Sequence, residues 1–277
     1  MSTADKHQNV ERRGARFQKH LQLFAAYLRF NLAAAMEYRG SFLLQVLGVA
    51  LNNSAFIIFW AAIFGKVPGI GHYGFREVMF LWALGSGAFG LVHICFGNIG
   101  QVSRIILQSD LDTYLLQPKD VCLNLIASRS VVSAWGDLAY GLILFATVFG
   151  LQPQRLGLFL GFVVCGGLLM GSVIFTAQVL TFFIGDASAI ARIVSEFLIS
   201  FTLYPESIYQ GPVRWVIYSL IPAGFIVFVP LRIMRAFSWP GLLLLIGVDL
   251  TYAGLSYGLF RLGLRRYESG NLIGTRV

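Results

Sequence analysis

Charge is what this sequence lacks most. Of its 277 residues, 12% are Asp, Glu, Lys or Arg, about half the ~25% found in soluble domains. A soluble globule of this size needs a polar skin, and this chain cannot supply one. Its 57% of hydrophobic residues equally exclude a disordered chain. Cysteine is scarce: Cys95, Cys122 and Cys165 lie in or beside apolar runs without Cys-x-x-Cys spacing, which excludes a disulfide scaffold and leaves them as packing residues. His7, His20, His72 and His93 have no paired-ligand or His-Glu-x-x-His spacing, so no metal centre is expected. His93 stands alone in an apolar run and reads as an interhelical donor. Ser103, Ser109 and Ser128 lack a Gly-x-Ser-x-Gly setting, and no Gly-x-x-x-x-Gly-Lys-Ser/Thr string occurs. Missing catalytic groups disfavour a membrane-embedded enzyme, and a phosphate-cradling loop is missing too.

What the chain has is long uncharged runs. At 1.5 Å per residue, about 20 apolar residues cross a ~30 Å hydrocarbon core. Residues 41–64, 78–100, 130–151, 156–185, 187–204 and 241–260 read as six such spans, that at 187–204 being of near-minimal length. Residues 1–39 are basic. A signal peptide is the rival reading there, but Arg29 interrupts its apolar region and a true span follows. Phe17, Leu21, Phe24, Leu28, Leu32 and Ala35 recur at steps of three and four, which predicts an amphipathic helix lying in the interface. Five of the eight prolines, Pro205, Pro212, Pro222, Pro230 and Pro240, crowd between the last two spans. Each removes a helical donor, so 205–239 is expected to dip into the membrane and return, held by Tyr204-Pro205, Pro222 and Pro230. The fold expected is thus one all-α integral membrane domain over 1–277.

The 21 Lys and Arg against 13 Asp and Glu do not indicate nucleic acid, because they flank uncharged runs without interleaved aromatics along one surface. In a membrane protein such an excess marks the cytoplasmic side. Basic residues gather before the first span and at Arg261, Arg265 and Arg266 after the last. Both termini are therefore expected in the cytoplasm, and the number of crossings is even.

Residues 101–119 then form a cytoplasmic connector. Ser109 and Asp112 have capping-box spacing, predicting a short helix from Asp110 to Leu116 that stops before Pro118. Leu111, Tyr114 and Leu115 would share one face. Two readings fit: a helix that docks a soluble partner, and one that lies on lipid headgroups. Within the spans, Asp137, Glu196 and Asp249 are candidate pathway groups. Glu196 has Arg192 four residues before it, suiting an ion pair; Asp137 is near enough to its span's end to be solvated there. Asn52 and Asn53 are expected to hydrogen-bond between helices.

In order and spacing, four features resemble the permease subunit of a type-2 ABC transporter, of the subgroup with six spans and a separately encoded ATPase. They are Glu37-Tyr38-Arg39 before Ser41-Phe42; Leu107-Gln108-Ser109-Asp110-Leu111-Asp112 with Leu115, Leu116 and Pro118; Tyr204-Pro205 with Ile221-Pro222; and Arg266-Tyr267-Glu268-Ser269-Gly270-Asn271. The resemblance covers essentially the whole chain. It implies an N-terminal helix at the inner surface, a connector coupling to the ATPase through Arg104, Ser109, Asp110, Leu111, Asp112, Tyr114, Leu115 and Pro118, and a re-entrant segment near the outer face. It also implies ABC ATPase subunits as partners, carrying the ATP and Mg that this chain does not bind. A second permease, identical or homologous, would complete a pathway in the cytoplasmic membrane. The expected function is outward transport of a hydrophobic or amphipathic compound. The competing expectation is an ion-coupled secondary transporter titrating Asp137, Glu196 or Asp249.

Overall fold

The computed structural model describes residues 3–268, with side chains from Gln18 onward. Ser269, Gly270 and Asn271 of the tail therefore lie outside the described residues, as do the side chains of Lys6, Arg12, Arg13, Arg16 and Phe17. Among the described residues the regular structure is helical, apart from an isolated bridge between Ile70 and Tyr73. Helix α1 is Thr3–Glu37, α2 Arg39–Phe64 and α3 Phe75–Cys95. The connector holds α4 (Val102–Leu107), α5 (Leu111–Leu115) and α6 (Val121–Ala127). Then come α7 (Ala134–Phe149), α8 (Pro153–Val179), α9 (Thr181–Ile184) and α10 (Ser188–Leu203). A broken stretch carries α11 (Pro212–Val216), α12 (Ala223–Ile226) and α13 (Phe228–Arg235) before the final α14 (Trp239–Leu264).

Among the described residues, four helical segments are long and apolar enough to cross a membrane: α2, α3, α8 with α9, and α14. Helices α7 and α10 have 16 residues each, about 24 Å at helical rise, shorter than the runs 130–151 and 187–204 suggest. Helix α3 also stops short of the expected Gly100. Phe96 leaves the helix at φ −135°, ψ 44°, the freed His93 carbonyl accepts from the Val131 amide at 3.0 Å, and Asn98 donates to the Leu125 carbonyl at 2.8 Å. These bonds turn an apolar run that hydropathy alone cannot end.

Contacts define two ends. At the near end, Asn31 of α1 donates to the Ala127 carbonyl of α6, and Phe182 packs on Phe260 and Tyr267. At the far end, Arg76 donates to the Val148 carbonyl, Arg235 to that of His72, and Trp60 meets Tyr204 edge-on. Helices α2, α3, α7, α8, α10 and α14 run alternately between these ends.

Helices α3, α7 and α8 form the packed heart. A Cβ on Gly141 of α7 would lie 2.7 Å from the Ala83 carbonyl, and one on Gly90 of α3 would lie 2.5 Å from the Leu138 amide, so the two backbones touch where only glycine fits. Phe80, Phe145 and Phe159, from these three helices, are buried together, with Phe145 and Phe159 stacked at 4.3 Å. By contrast α2 presents Leu43, Leu44, Leu47, Leu51, Ile58 and Phe59 outward, as a lipid-facing or partner-facing helix does.

The prolines between α10 and α14 start helices. Pro212 and Pro240 sit in first turns, where no intrahelical amide partner is lost. Pro222 is the N-cap of α12, and Pro230 is the third residue of α13. Ile221 to Pro230 are buried apart from Phe225, and α12 packs against α8 and α10.

Among the described residues, the far end carries Lys66, Arg76, Arg155, Arg214, Arg232 and Arg235 against only Glu77 and Glu206. The basic excess therefore occupies both ends, whereas the sequence directs attention to the termini.

Candidate functional site

Two regions combine polar groups with accessible space. The first is a cleft of about 430 Å³ opening between α2, α3, α7 and α10. Asn52 and Asn53 reach it from α2, Ser86 from α3, Asp137 from α7 and Thr202 from α10, while Phe56, Trp82 and Phe89 give it aromatic walls. Asn53 Nδ2 donates to Asp137 Oδ1 at 2.9 Å, the interhelical bond expected of it. Asn52 is exposed and donates only to Asn53, at 3.4 Å. Ser86 Oγ donates to the Asp137 backbone carbonyl at 2.7 Å. Asp137 thus hangs between α2 and α3, and its carboxylate is the one charged group lining the cleft among the described residues. A space with aromatic walls and a few polar groups can hold an amphipathic molecule and orient its polar part.

Glu196 and Asp249 are not part of this cleft. Glu196 pairs with Arg192 at 3.7 Å, both side chains being exposed, which is worth little by itself. Asp249 is buried in α14 against Cys165 of α8, and its Oδ1 has no hydrogen-bond partner among the described residues.

The second region is the connector. Its helix is shorter than predicted, and the Ser109–Asp112 capping box does not form: Ser109 takes a left-handed φ of 62°, and Asp110 occupies the N-cap without a side-chain cap bond. In that conformation Ser109 cannot supply the extended backbone that an N-cap needs. Nor do the three apolar residues share one face. Leu111 is fully buried, and Tyr114 turns inward to Asn98 and Ser128. Leu115 and Leu116 point outward, with Leu116 86% exposed. Arg104 donates to the Gln101 side chain, and Pro118 lies exposed beyond α5.

The connector is fastened to the bundle by a buried network invisible in hydropathy. The Ser103 amide donates to Gln178 Oε1 at 2.9 Å, and Ser103 Oγ to the Gln178 carbonyl at 3.1 Å. Gln178 Nε2 donates to the Gly100 carbonyl at 2.9 Å, and Thr181 Oγ1 to Ser103 Oγ at 2.8 Å. Every polar group of the Gln178 side chain is used, as burial requires. Tyr267, just past α14, lies beside Asp112; burial and that carboxylate push its hydroxyl up to about 12. His93, expected to bond between helices, instead donates from Nδ1 to the Phe89 carbonyl of its own helix and stacks on the Phe89 ring.

Around the broken stretch, Glu206 gathers partners that sequence reading did not single out. Its carboxylate accepts from Tyr218 Oη at 2.8 Å and from Tyr73 Oη at 3.4 Å, and it pairs with Arg214 at 3.2 Å and Arg232 at 3.5 Å. Of the residues predicted for that segment, Tyr204 is exposed beside Trp60, whereas Pro205, Pro222 and Pro230 are buried. The hub joins the loop before α3 to the start and end of the broken stretch.

A family model described as ABC-2 family transporter protein matches residues 50–271. No curated protein and no solved structure matches the chain.

Proposed function

The chain belongs to the ABC-2 family of transporter proteins, and from that premise we propose that it is the permease subunit of an exporter whose ATP hydrolysis occurs on a separate ATPase. The cargo is a hydrophobic or amphipathic compound. Six helices cross the cytoplasmic membrane, with α1 on its inner surface, both termini inside and the proline-rich stretch re-entrant from the outside. A second permease, identical or homologous, faces the exposed side of α2, where Asn52 stands mid-helix and finds partners across the interface.

The observation that carries this reading is the bonded path from the exposed Leu115–Leu116 tip to α8. Closure of an ATPase pair on ATP and Mg pushes α5. The push passes through α4 and the Ser103–Gln178–Thr181 network into α8 and α9. Helices α2 and α10 then shift against the fixed heart, and the Asp137 cleft changes the side to which it opens.

The test is co-expression of the tagged chain with a candidate ABC ATPase from the same genome. The ATPase should co-purify in comparable amounts, and efflux of an amphipathic dye should cease when that ATPase loses its nucleotide-binding lysine. Efflux by the chain alone, stopped by an ionophore, would overturn the proposal. It would favour an ion-coupled carrier, for which the buried, unpartnered Asp249 oxygen is the supporting observation.

A further inference from the structure

At the far end, a hollow of about 180 Å³ lies where α3, α7, α8 and α13 meet. Arg76, Arg155 and Arg235 line it, with Glu77 as its sole carboxylate among the described residues and Phe149 and Leu231 among its apolar walls. Glu77 is already committed: one oxygen pairs with Arg235 at 3.2 Å and the other accepts from the Gly74 amide at 2.9 Å. Arg235 is committed in turn, to Glu77 and to the His72 carbonyl.

Arg76 and Arg155 are not neutralised. Arg76 donates to the Val148 carbonyl, which fixes its guanidinium without cancelling its charge. Arg155 lies over the Phe149 ring, 5.8 Å from its centroid, a contact that orients the planar fork and leaves its N–H groups free to donate. Neither has a carboxylate partner among the described residues. Both are exposed and lie within the first turn of their helices, Arg76 in α3 and Arg155 in α8. They therefore stand at headgroup depth, beside two helix N-termini whose dipoles also favour negative charge. Guanidinium forks match the oxygens of a phosphate in pairs.

We propose that this hollow binds the phosphate of an anionic ligand, held between Arg76 and Arg155 with its apolar part against Phe149 and Leu231. Two sources share that chemistry, an anionic phospholipid headgroup and a soluble phosphate. The site does not depend on how transport is powered, so it stands or falls separately from the function proposed above.

The purified chain is placed in nanodiscs of equal phosphatidylglycerol and phosphatidylcholine, and the lipid retained on extraction is counted by native mass spectrometry. A lipid source predicts enrichment of phosphatidylglycerol. That enrichment should fall roughly fivefold in Arg155→Gln and in Arg76→Gln, the loss expected from one basic residue at an anionic surface, and remain in Lys66→Gln, which removes a charge from the same end outside the hollow. A soluble source predicts instead that inorganic phosphate raises the melting temperature in phosphatidylcholine-only discs, and that both arginine variants lose this shift. Equal retention of the two lipids together with no phosphate shift overturns the proposal. So does an equal fall in Lys66→Gln, which would reduce the effect to net charge. Arg155 is exposed, so its variant tests the site even where Arg76→Gln fails to fold.

Discussion

Asn53 and Asp137, 84 positions apart in the chain, meet at 2.9 Å across the boundary between α2 and α7. Asn53→Ala removes the donor and leaves a carboxylate oxygen to find another. Interhelical bonds of this kind are worth about 0.6–2 kcal/mol, so a lower melting temperature and weaker efflux are expected together. Asp137→Asn keeps the capacity to accept but loses the charge. It should melt close to wild type yet transport cationic amphiphiles less well, and a dye-efflux assay beside a thermal scan separates the two outcomes.

Leu115 and Leu116 stand out from the connector, 42% and 86% exposed. Neither residue belongs to the buried core, so the double substitution Leu115→Asp with Leu116→Asp should leave insertion and melting close to wild type. If the ATPase covers these side chains, each fully buried leucine contributes about 1.5–3 kcal/mol, and ATPase co-purification should weaken by at least about tenfold. Undiminished co-purification would place the tip on lipid.

Gly141 and Gly161 make a matched pair. A Cβ at Gly141 meets the Ala83 carbonyl at 2.7 Å and the Gly87 amide at 2.8 Å, whereas at Gly161 nothing lies within 4 Å. Gly141→Ala should cost about 1–3 kcal/mol through forced separation of α3 and α7. Gly161→Ala should be neutral or gain up to about 1 kcal/mol by restricting the unfolded chain. Thermal unfolding of the two variants in one detergent provides the comparison.

Tyr73, in the loop before α3, donates to Glu206. Burial first, and the Glu206 carboxylate next, push its hydroxyl from 10.0 up to about 12. The folded protein thus favours the neutral phenol. That contribution is whole below pH 10 and disappears as the pH rises through 12. Tyr73→Phe should flatten the fall in melting temperature over this window. It will not abolish it, because Tyr218, on the same carboxylate, is displaced upward too.

Much of this fold is legible in the sequence where a single rule governs it. Uncharged runs locate the long helices, and the proline cluster locates the one stretch where the chain is broken into short pieces. The asparagine at position 53 announces an interhelical bond because a mid-span amide needs a partner. Legibility ends where long-range partners decide. Ser109 has the spacing of a cap but the backbone of a left-handed turn. Helix α3 stops at Cys95 because Val131, 38 positions beyond His93, and Leu125, 27 beyond Asn98, supply the hydrogen bonds around its end. Gln178 looks like a stray amide in an apolar run, yet it bolts the connector to α8. Glu206 reads as a loop carboxylate, and only the folded chain brings two arginines and two tyrosines to it.

The glycine seam between α3 and α7 leaves no slack for sliding or tilting without collision. With the stacked phenylalanines that join α8 to it, the seam makes a stator, against which only peripheral helices can be rotors. In the cycle proposed above, the moving parts are therefore helices outside the seam, and a cross-link fixing α2 or α10 to the seam should arrest transport, while a cross-link within the seam should go unnoticed.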